Sequence, residues 1–403
     1  MNEPRRLLFA SVHSYVDPSS GAALATRDLL ELMASRGWDC RALTAGLLDY
    51  EKETSCDSVL DSLGLPSDEV RTALIGGGEA LVYDLRIDGV GVTMMPTRSS
   101  KADRSPSAEE SRVFLDLAAQ ALDRFRPDVV LTYGGHPAGL ALMAEARRRG
   151  IPVVFHLHNF AYTDSRGFAD ASAVLVPTDY ARRLYARRLG LHCVHIPLPL
   201  NPRRALASDP EPRYATFVNP QVLKGAAVVA RIALELGRRR PEIPFLIVES
   251  RAEAGELGRL GLDLAPLENL HWMANTHDPR DFYRLSRVVL VPSLVENASL
   301  VVRESLSNGI PVLASDRGGL PETLGEAGFV FPLPERMLAP GALVVPTPLE
   351  VAPWTATIER LWDDSAWEES HRTLALEAAR RWDPDVIAAQ YSNFFESLAR
   401  RRG

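Results

Sequence analysis

Ser293-Leu294-Val295-Glu296-Asn297-Ala298-Ser299-Leu300-Val301-Val302-Arg303-Glu304-Ser305-Leu306-Ser307-Asn308-Gly309, running on to Ser315-Asp316-Arg317-Gly318-Gly319-Leu320-Pro321-Glu322, is the stretch that decides the fold. Two carboxylates, Glu296 and Glu304, stand on either side of a loop-to-helix junction that follows an apolar strand. A second strand and a Gly-Gly turn come directly after. This layout suits a nucleotide-sugar site, because carboxylates accept hydrogen bonds from sugar and ribose hydroxyls. Backbone N–H groups at a helix start can hold a diphosphate. A surface helix that happens to carry two glutamates is the plain alternative, but it leaves the strand, the turn and the glycines unexplained.

Working outward, short apolar runs alternate with helical patterns along the whole chain, which predicts parallel sheets with helical crossovers. Leu7–Val12 reads as the opening strand and Gly21–Arg36 as an amphipathic helix stopped by Gly37. Further strands are predicted at Asp128–Thr132, Val153–His158, Ala173–Pro177 and Val194–Ile196. Leu81–Ile87 and Val90–Met95 flank Asp88-Gly89, a hairpin signal. Gly76-Gly77-Gly78 reads as a turn, and Thr97 to Glu110 as a mobile loop. A proline-rich linker from Pro197 to Pro212 precedes a second alternation, with strands at Tyr214–Val218, Phe245–Glu249, Asn269–Met273, Val288–Pro292, Pro311–Ser315 and Phe329–Phe331. The expected architecture is α/β, with two Rossmann-like domains facing each other across a cleft. Residues 1–200 form the first, 203–380 the second, and 381–403 a C-terminal helix that crosses back to the first.

The 403 residues suit two or three domains of ordinary size, and 46% apolar with 24% charged residues is a soluble globular composition. A formal charge of −7 argues against binding nucleic acid through bulk charge. The arginines from Arg182 to Arg188 read as a solvated helix end, although such a run could also meet a membrane surface or an anionic acceptor. Cys40, Cys56 and Cys193 lie far apart, fitting neither a disulfide framework nor a zinc site, so a reducing cytoplasm is expected. The apolar run after Arg5-Arg6 is too short for a signal peptide, and no stretch approaches the ~20 apolar residues of a membrane span.

Val291-Pro292-Ser293, then Glu296 and Glu304, then Asn308-Gly309-Ile310-Pro311-Val312, Gly318-Gly319 and Pro321-Glu322 match a family signature in order and spacing. The chain resembles the GT-B glycosyltransferases, and within them glycosyltransferase family 4, over nearly its whole length. That resemblance implies that Glu296 meets the hydroxyls of the transferred sugar and Glu304 the ribose diol. Asn297, Ala298, Ser299, Leu300 and Val301 would present backbone amides to sugar and phosphate. The family commonly has a glycine-containing turn there, so this chain brings side chains closer to the sugar.

The resemblance also implies that Lys224, in Asn219-Pro220-Gln221-Val222-Leu223-Lys224-Gly225, neutralises the leaving diphosphate. Asn219 stands where the family often has an arginine. In Asp17-Pro18-Ser19-Ser20-Gly21-Ala22-Ala23, Gly21 and Ala22 would lie in a small-residue turn against the donor. His158, favoured over His156, would contact the donor sugar at a strand end. Tyr133 and His136, in Tyr133-Gly134-Gly135-His136, are candidate acceptor contacts, since ligands bind at the carboxyl ends of parallel strands.

Asp383-Pro384-Asp385 fits a metal-binding D-x-D pattern only formally. It has no preceding apolar strand, and Asp383 reads as a helix cap with Pro384 in the first turn. No catalytic Ser/His/Asp or Cys/His order stands out, and neither a metal nor a cofactor is expected. The expected function is transfer of a sugar from a nucleoside diphosphate sugar to an acceptor hydroxyl, and the family resemblance implies retention of configuration without an obligatory metal. Uridine is the first expectation for the base and guanosine the second. The acceptor is open between a glycan, a lipid-linked sugar and a small natural product. Two alternatives remain at this point: a nucleotide-sugar epimerase on the same fold, and a non-catalytic nucleotide-sugar-binding protein.

Overall fold

The structure, a computed structural model, describes residues 3–49, 53–101, 106–252, 255–339 and 343–400. The chain divides into two compact units: Met1–Pro199 with Pro384–Gly403, and Leu200–Asp383.

In the first unit the described strands are β1 (Arg6–His13), β2 (Asp39–Leu47), β3 (Asp68–Ala73), β4 (Glu79–Ile87), β5 (Val90–Met95), β6 (Val129–Thr132), β7 (Val153–His156), β8 (Ala173–Val176) and β9 (Cys193–His195). They form one sheet in the order β3-β4-β5-β2-β1-β6-β7-β8-β9. All neighbours run parallel except β3–β4 and β4–β5. Central strands such as β6 and β7 are buried along their whole length, which explains their unbroken apolar runs. The hairpin at Asp88-Gly89 forms, with both residues at positive φ (44° and 90°) as a tight two-residue turn demands.

Four details differ from the sequence expectation. β2 lies where no strand was expected, its pairing with β1 and β5 making a strand of a segment whose apolar run is broken by Arg41 and Thr44. β3 carries no apolar alternation and is held by pairing with β4, the turn between them containing Gly76-Gly77-Gly78. The helix Ala108–Phe125 starts early, capped reciprocally by Ser107 and Glu110, so the expected mobile loop is shorter; its residues 102–105 lie outside the described residues. β7 ends at His156, two residues before the predicted end; its last pairings are Phe155 with Thr132 of β6 and His156 with Leu175 of β8.

The C-terminal helix Pro384–Arg400 belongs to the first unit. Ile387, Tyr391, Phe395 and Leu398 fall on one helical face and enter the same core as Phe9, Leu29 and Met33. The Phe395 ring meets Trp38 edge-on at 5.8 Å. Burying each such side chain contributes about 1.5–3 kcal/mol.

In the second unit the described strands are β10 (Tyr214–Val218), β11 (Phe245–Val248), β12 (Leu270–Met273), β13 (Ser286–Val291), β14 (Val312–Ser315) and β15 (Phe329–Phe331). All are parallel, in the order β12-β11-β10-β13-β14-β15. Numbered from its first strand this is 3-2-1-4-5-6, the doubly wound order. The helix Ala226–Arg239 buries Val228, Val229, Ile232 and Leu236, and Trp354 is fully enclosed in the same core. Among the described residues no helix is long and apolar enough to cross a membrane.

Candidate active site

The direction of strand succession reverses between β10 and β13, and in such sheets the crevice at the carboxyl ends of those two strands takes the ligand. The loop after β10 carries Lys224 and the loop after β13 carries Glu296. Asn219 leaves β10 at φ 65°, a left-handed conformation that asparagine tolerates better than most residues. Its side-chain N–H donates to Gln221 Oε1 at 3.2 Å, and its Oδ1 accepts from the Ala252 N–H at 3.3 Å. The side chain therefore ties the β10 and β11 loops together.

The chain then makes a short 3-10 turn, Val222–Lys224, and reaches Gly225 at φ 90°. A Cβ at Gly225 would lie 2.1 Å from the Pro292 carbonyl oxygen, so this loop rests directly on the end of β13. The Leu294 N–H donates to the Leu223 carbonyl at 2.8 Å across the same contact. As a result Lys224 Nζ lies 2.7 Å from Glu296 Oε2, and the Ser293 hydroxyl donates to that same oxygen at 3.2 Å. Ser293 is held in turn by the Ser315 hydroxyl, which donates to its carbonyl at 2.6 Å.

The Lys224 side chain is 37% exposed and that of Glu296 12%. A pair this open to water adds at most about 1 kcal/mol to folding. Stability alone is thus a weak reason for placing it here. Lysine has three N–H donors, so Lys224 can hold Glu296 and an incoming anion at once.

Ser299 is the N-cap of the helix Leu300–Ser307, accepting from the Val302 N–H at 3.3 Å. Its hydroxyl serves the helix, and Asn297 is likewise buried, so the two side chains lie less open than the sequence suggested. Ala298, Leu300 and Val301 are half-buried around the helix start, where early backbone N–H groups lack helical acceptors. Glu304 lies further along the helix, and the Tyr283 hydroxyl donates to its Oε2 at 2.7 Å.

In the first unit the strand order reverses between β1 and β6. β1 ends at His13, and Tyr133 follows β6. The His13 ring stacks on Tyr133 at 5.6 Å and lies 5.2 Å from His136. Tyr133 meets His158 edge-on at 5.4 Å, and His158 lies 4.1 Å from His156. The two histidine rings thus lie side by side at the end of β7. His156 is fully buried and His158 half-buried, two residues past the end of β7.

Burial pushes His13 down to about 4, with Asp49 opposing and His136 adding to the shift. Burial also drives His156 well below its usual value and the Tyr133 phenol well above. The cluster is therefore anchored by neutral rings, suited to hydroxyls more than to anions. Gly134, at φ 97°, passes so close that a Cβ would lie 2.8 Å from the His13 ring.

Gly21 and Ala22 are the first residues of the helix Gly21–Ser35 and not of the turn before it. The turn is organised by Asp17, whose carboxylate accepts from the Ser19 N–H and hydroxyl and from the Asp49 N–H. Burial pushes the Cys56 and Cys193 thiols up to about 11 and that of Cys40 higher still, so none offers a thiolate near neutral pH.

Residues 20–198 match the glycosyl transferase 4-like domain, and residues 202–375 match the glycosyl transferases group 1. The chain belongs to the group 1 glycosyltransferases. It is 27% identical to the D-inositol 3-phosphate glycosyltransferase of Nocardiopsis dassonvillei over 362 residues, covering 72% of this chain and 83% of that protein. It is 31% identical to the enzyme of the same name from Rhodococcus erythropolis over 205 residues, 47% of this chain and 45% of that one. For O-antigen chain mannosyltransferase B of Escherichia coli the identity is 27%, over 39% of this chain and 34% of that protein. The chain thus spans less than half the length of most of these curated relatives.

Among solved structures, sucrose-phosphate synthase from Thermosynechococcus elongatus superposes with a TM-score of 0.67 at 16% identity, over 98% of this chain and 99% of that one. HepE from Anabaena in complex with UDP gives 0.65 at 15% identity, over 97% of this chain and 100% of that one. At such identities the likeness establishes the GT-B fold.

For this glycosyltransferase the structure brings Lys224 and Glu296 into contact, and gathers Tyr133, His136 and His158 in a separate cluster. Sequence reasoning missed His13, Ser293 and Tyr283 as members of these groups. His13 could have been found from its place at the end of an apolar strand, and Ser293 from its fixed spacing to Glu296. Tyr283 carries no sequence signal of its role.

Proposed function

We propose that this glycosyltransferase moves a sugar from a nucleoside diphosphate sugar to an acceptor hydroxyl with retention of configuration and without a metal. The contact between Lys224 and Glu296 at the strand-order reversal carries the reading. It sets a cation for the diphosphate beside a carboxylate for the sugar, which is the order of groups along a nucleotide sugar. The acceptor oxygen bonds to the anomeric carbon as the bond to the phosphate oxygen breaks, and that phosphate oxygen takes the acceptor proton. Lys224 and the amides at the start of the helix Leu300–Ser307 stabilise the charge that builds on the leaving diphosphate. Glu296 positions the sugar through its hydroxyls and forms no covalent bond.

A uridine donor is supported by the structural neighbour HepE, solved with UDP and with UDP-glucose. Guanosine is the second choice. In this reading Lys224 supplies the positive charge beside the sugar-binding carboxylate. Under the same reading Gly21, Ala22 and Asn219 lend backbone to the donor, His158 contacts its sugar, and Tyr133 and His136 face the acceptor. The acceptor is a glycan, a lipid-linked sugar or a small natural product, and the enzyme works in the cytoplasm.

Thermal-shift screening against UDP- and GDP-sugars tests the donor, since a ligand that binds the folded chain raises its melting temperature. The anomeric proton coupling of the transfer product then tests retention. An inverted product, or no stabilisation by any nucleotide sugar, would sink the proposal.

A further inference from the structure

Tyr283 and Glu304 stand on different elements. Tyr283 ends the helix Arg280–Tyr283 just before β13, and Glu304 lies on the helix after β13. Their side chains meet in a 2.7 Å hydrogen bond, the phenol donating to Oε2. Tyr283 is 2% exposed and shares a core with Val302, Leu306 and Ile310, while the Phe282 ring lies 4.4 Å from its own. Packing therefore fixes the phenol before any ligand arrives. Burial, reinforced by the neighbouring Glu304 carboxylate, pushes the phenol well above its usual pKa, so it remains a donor through the neutral range.

A buried tyrosine that merely satisfies its hydroxyl would be served equally by any backbone carbonyl. Here it reaches the one side chain on this helix assigned to the nucleotide. A carboxylate offers about four acceptor positions over two oxygens. Tyr283 occupies one of them on Oε2 and so fixes where that oxygen stands. A long acidic side chain on a helix otherwise samples several rotamers, and fixing one in advance removes that ordering cost from ligand binding.

We propose that Tyr283 is a positioning residue for donor recognition, holding Glu304 in the rotamer that reads the ribose diol and so setting the preference for ribonucleotides over 2′-deoxyribonucleotides. This rests on the assignment of Glu304 to the ribose. The Asn308 side chain, which donates to the Glu304 carbonyl at 2.8 Å, anchors the backbone beneath, so the phenol has only the side chain left to orient.

Calorimetric titration of the full chain with UDP, GDP and their 2′-deoxy counterparts tests the inference in wild type, Tyr283→Phe and Glu304→Ala. Tyr283→Phe keeps the ring and removes the donor. It should lower the ribo-to-deoxy affinity ratio roughly 5- to 10-fold, through weaker ribonucleotide binding and unchanged deoxynucleotide binding. The donor KM should rise by a similar factor with kcat changed less than about 2-fold. Tyr283→Leu, which also lacks the donor, serves if the phenylalanine variant does not fold.

A folded Tyr283 variant with the wild-type ratio overturns the proposal. Glu304→Ala separates the two assignments. If it collapses the ratio while Tyr283→Phe does not, only the role of Tyr283 falls. If it too leaves the ratio unchanged, or if wild type binds neither nucleotide or shows no preference, the ribose reading falls and takes the inference with it.

Discussion

A Cβ on Gly318 would lie 1.9 Å from the carbonyl oxygen of Glu296, and that same oxygen accepts the Gly319 N–H at 2.9 Å. The Gly-Gly turn after β14 thus clasps the backbone of the proposed sugar-binding carboxylate, and Gly318 also sits at φ 61°. Gly318→Ala must move the clasp or the glutamate. A loss of about 1–3 kcal/mol of stability is expected from backbone strain at that position. The kcat should fall further than this destabilisation explains. Urea denaturation with kcat on the same preparation checks this, and an alanine variant with both values unchanged would contradict the close approach.

The ion pair between Lys224 and Glu296 separates stability from chemistry. Lys224→Ala removes a partly exposed pair, so melting temperature should move little, by the equivalent of about 1 kcal/mol or less. Loss of a charge aimed at the leaving diphosphate should instead lower kcat roughly 10²- to 10³-fold. Glu296→Ala should also abolish most transfer. Calorimetric melting and initial rates decide together. A large drop in melting temperature with near-normal turnover would make the pair structural.

His13, held near 4 by burial, gives the first unit a pH signature. Its imidazole is harder to protonate in the folded protein than in the unfolded chain, where about 6.5 applies. The unfolded chain therefore binds more protons across that interval. His13's contribution to stability is complete above pH 6.5 and drains as pH falls toward 4, at no more than about 1.4 kcal/mol per pH unit. His156 pulls in the same direction. NMR titration of the histidine Cε1 protons should find His13 neutral at pH 5.5; a midpoint near 6.5 would refute the burial argument.

Most elements of the two alternating sheets were readable because they announce themselves locally, through an apolar run, a cap or a glycine stop. Lys224 and Glu296 were readable for the same reason: each lies in a short loop directly after a predicted strand. Asn219 was legible as a loop residue, but its left-handed backbone and its link to Ala252 depend on the neighbouring β11 loop. β3 was missed because its residues alternate without an apolar face and take their strand form from β4. The end of β7 was overshot because pairing with the strands on both sides, and not the local apolar run, sets it. The contacts of Tyr283 with Glu304 and of His13 with Tyr133 join distant segments, and no local pattern encodes them.

His136 offers the sharpest test of the acceptor assignment. It is the N-cap residue of the helix Pro137–Arg148, yet its side chain makes no capping bond, so removing the ring should cost the helix little. Its ring instead lies 5.2 Å from His13, beside Tyr133 in the cluster at the strand-order reversal of the first unit. If this cluster receives the acceptor, His136→Ala should raise the acceptor KM roughly 5- to 10-fold, the loss of about one hydrogen bond to a neutral hydroxyl. Donor affinity should stay within about 2-fold of wild type, because the proposed diphosphate and ribose contacts are made by Lys224 and Glu304 in the second unit. Steady-state kinetics with each substrate varied in turn separates the two effects. A change confined to donor KM would move His136 to the donor side, and no change in either would remove it from the site.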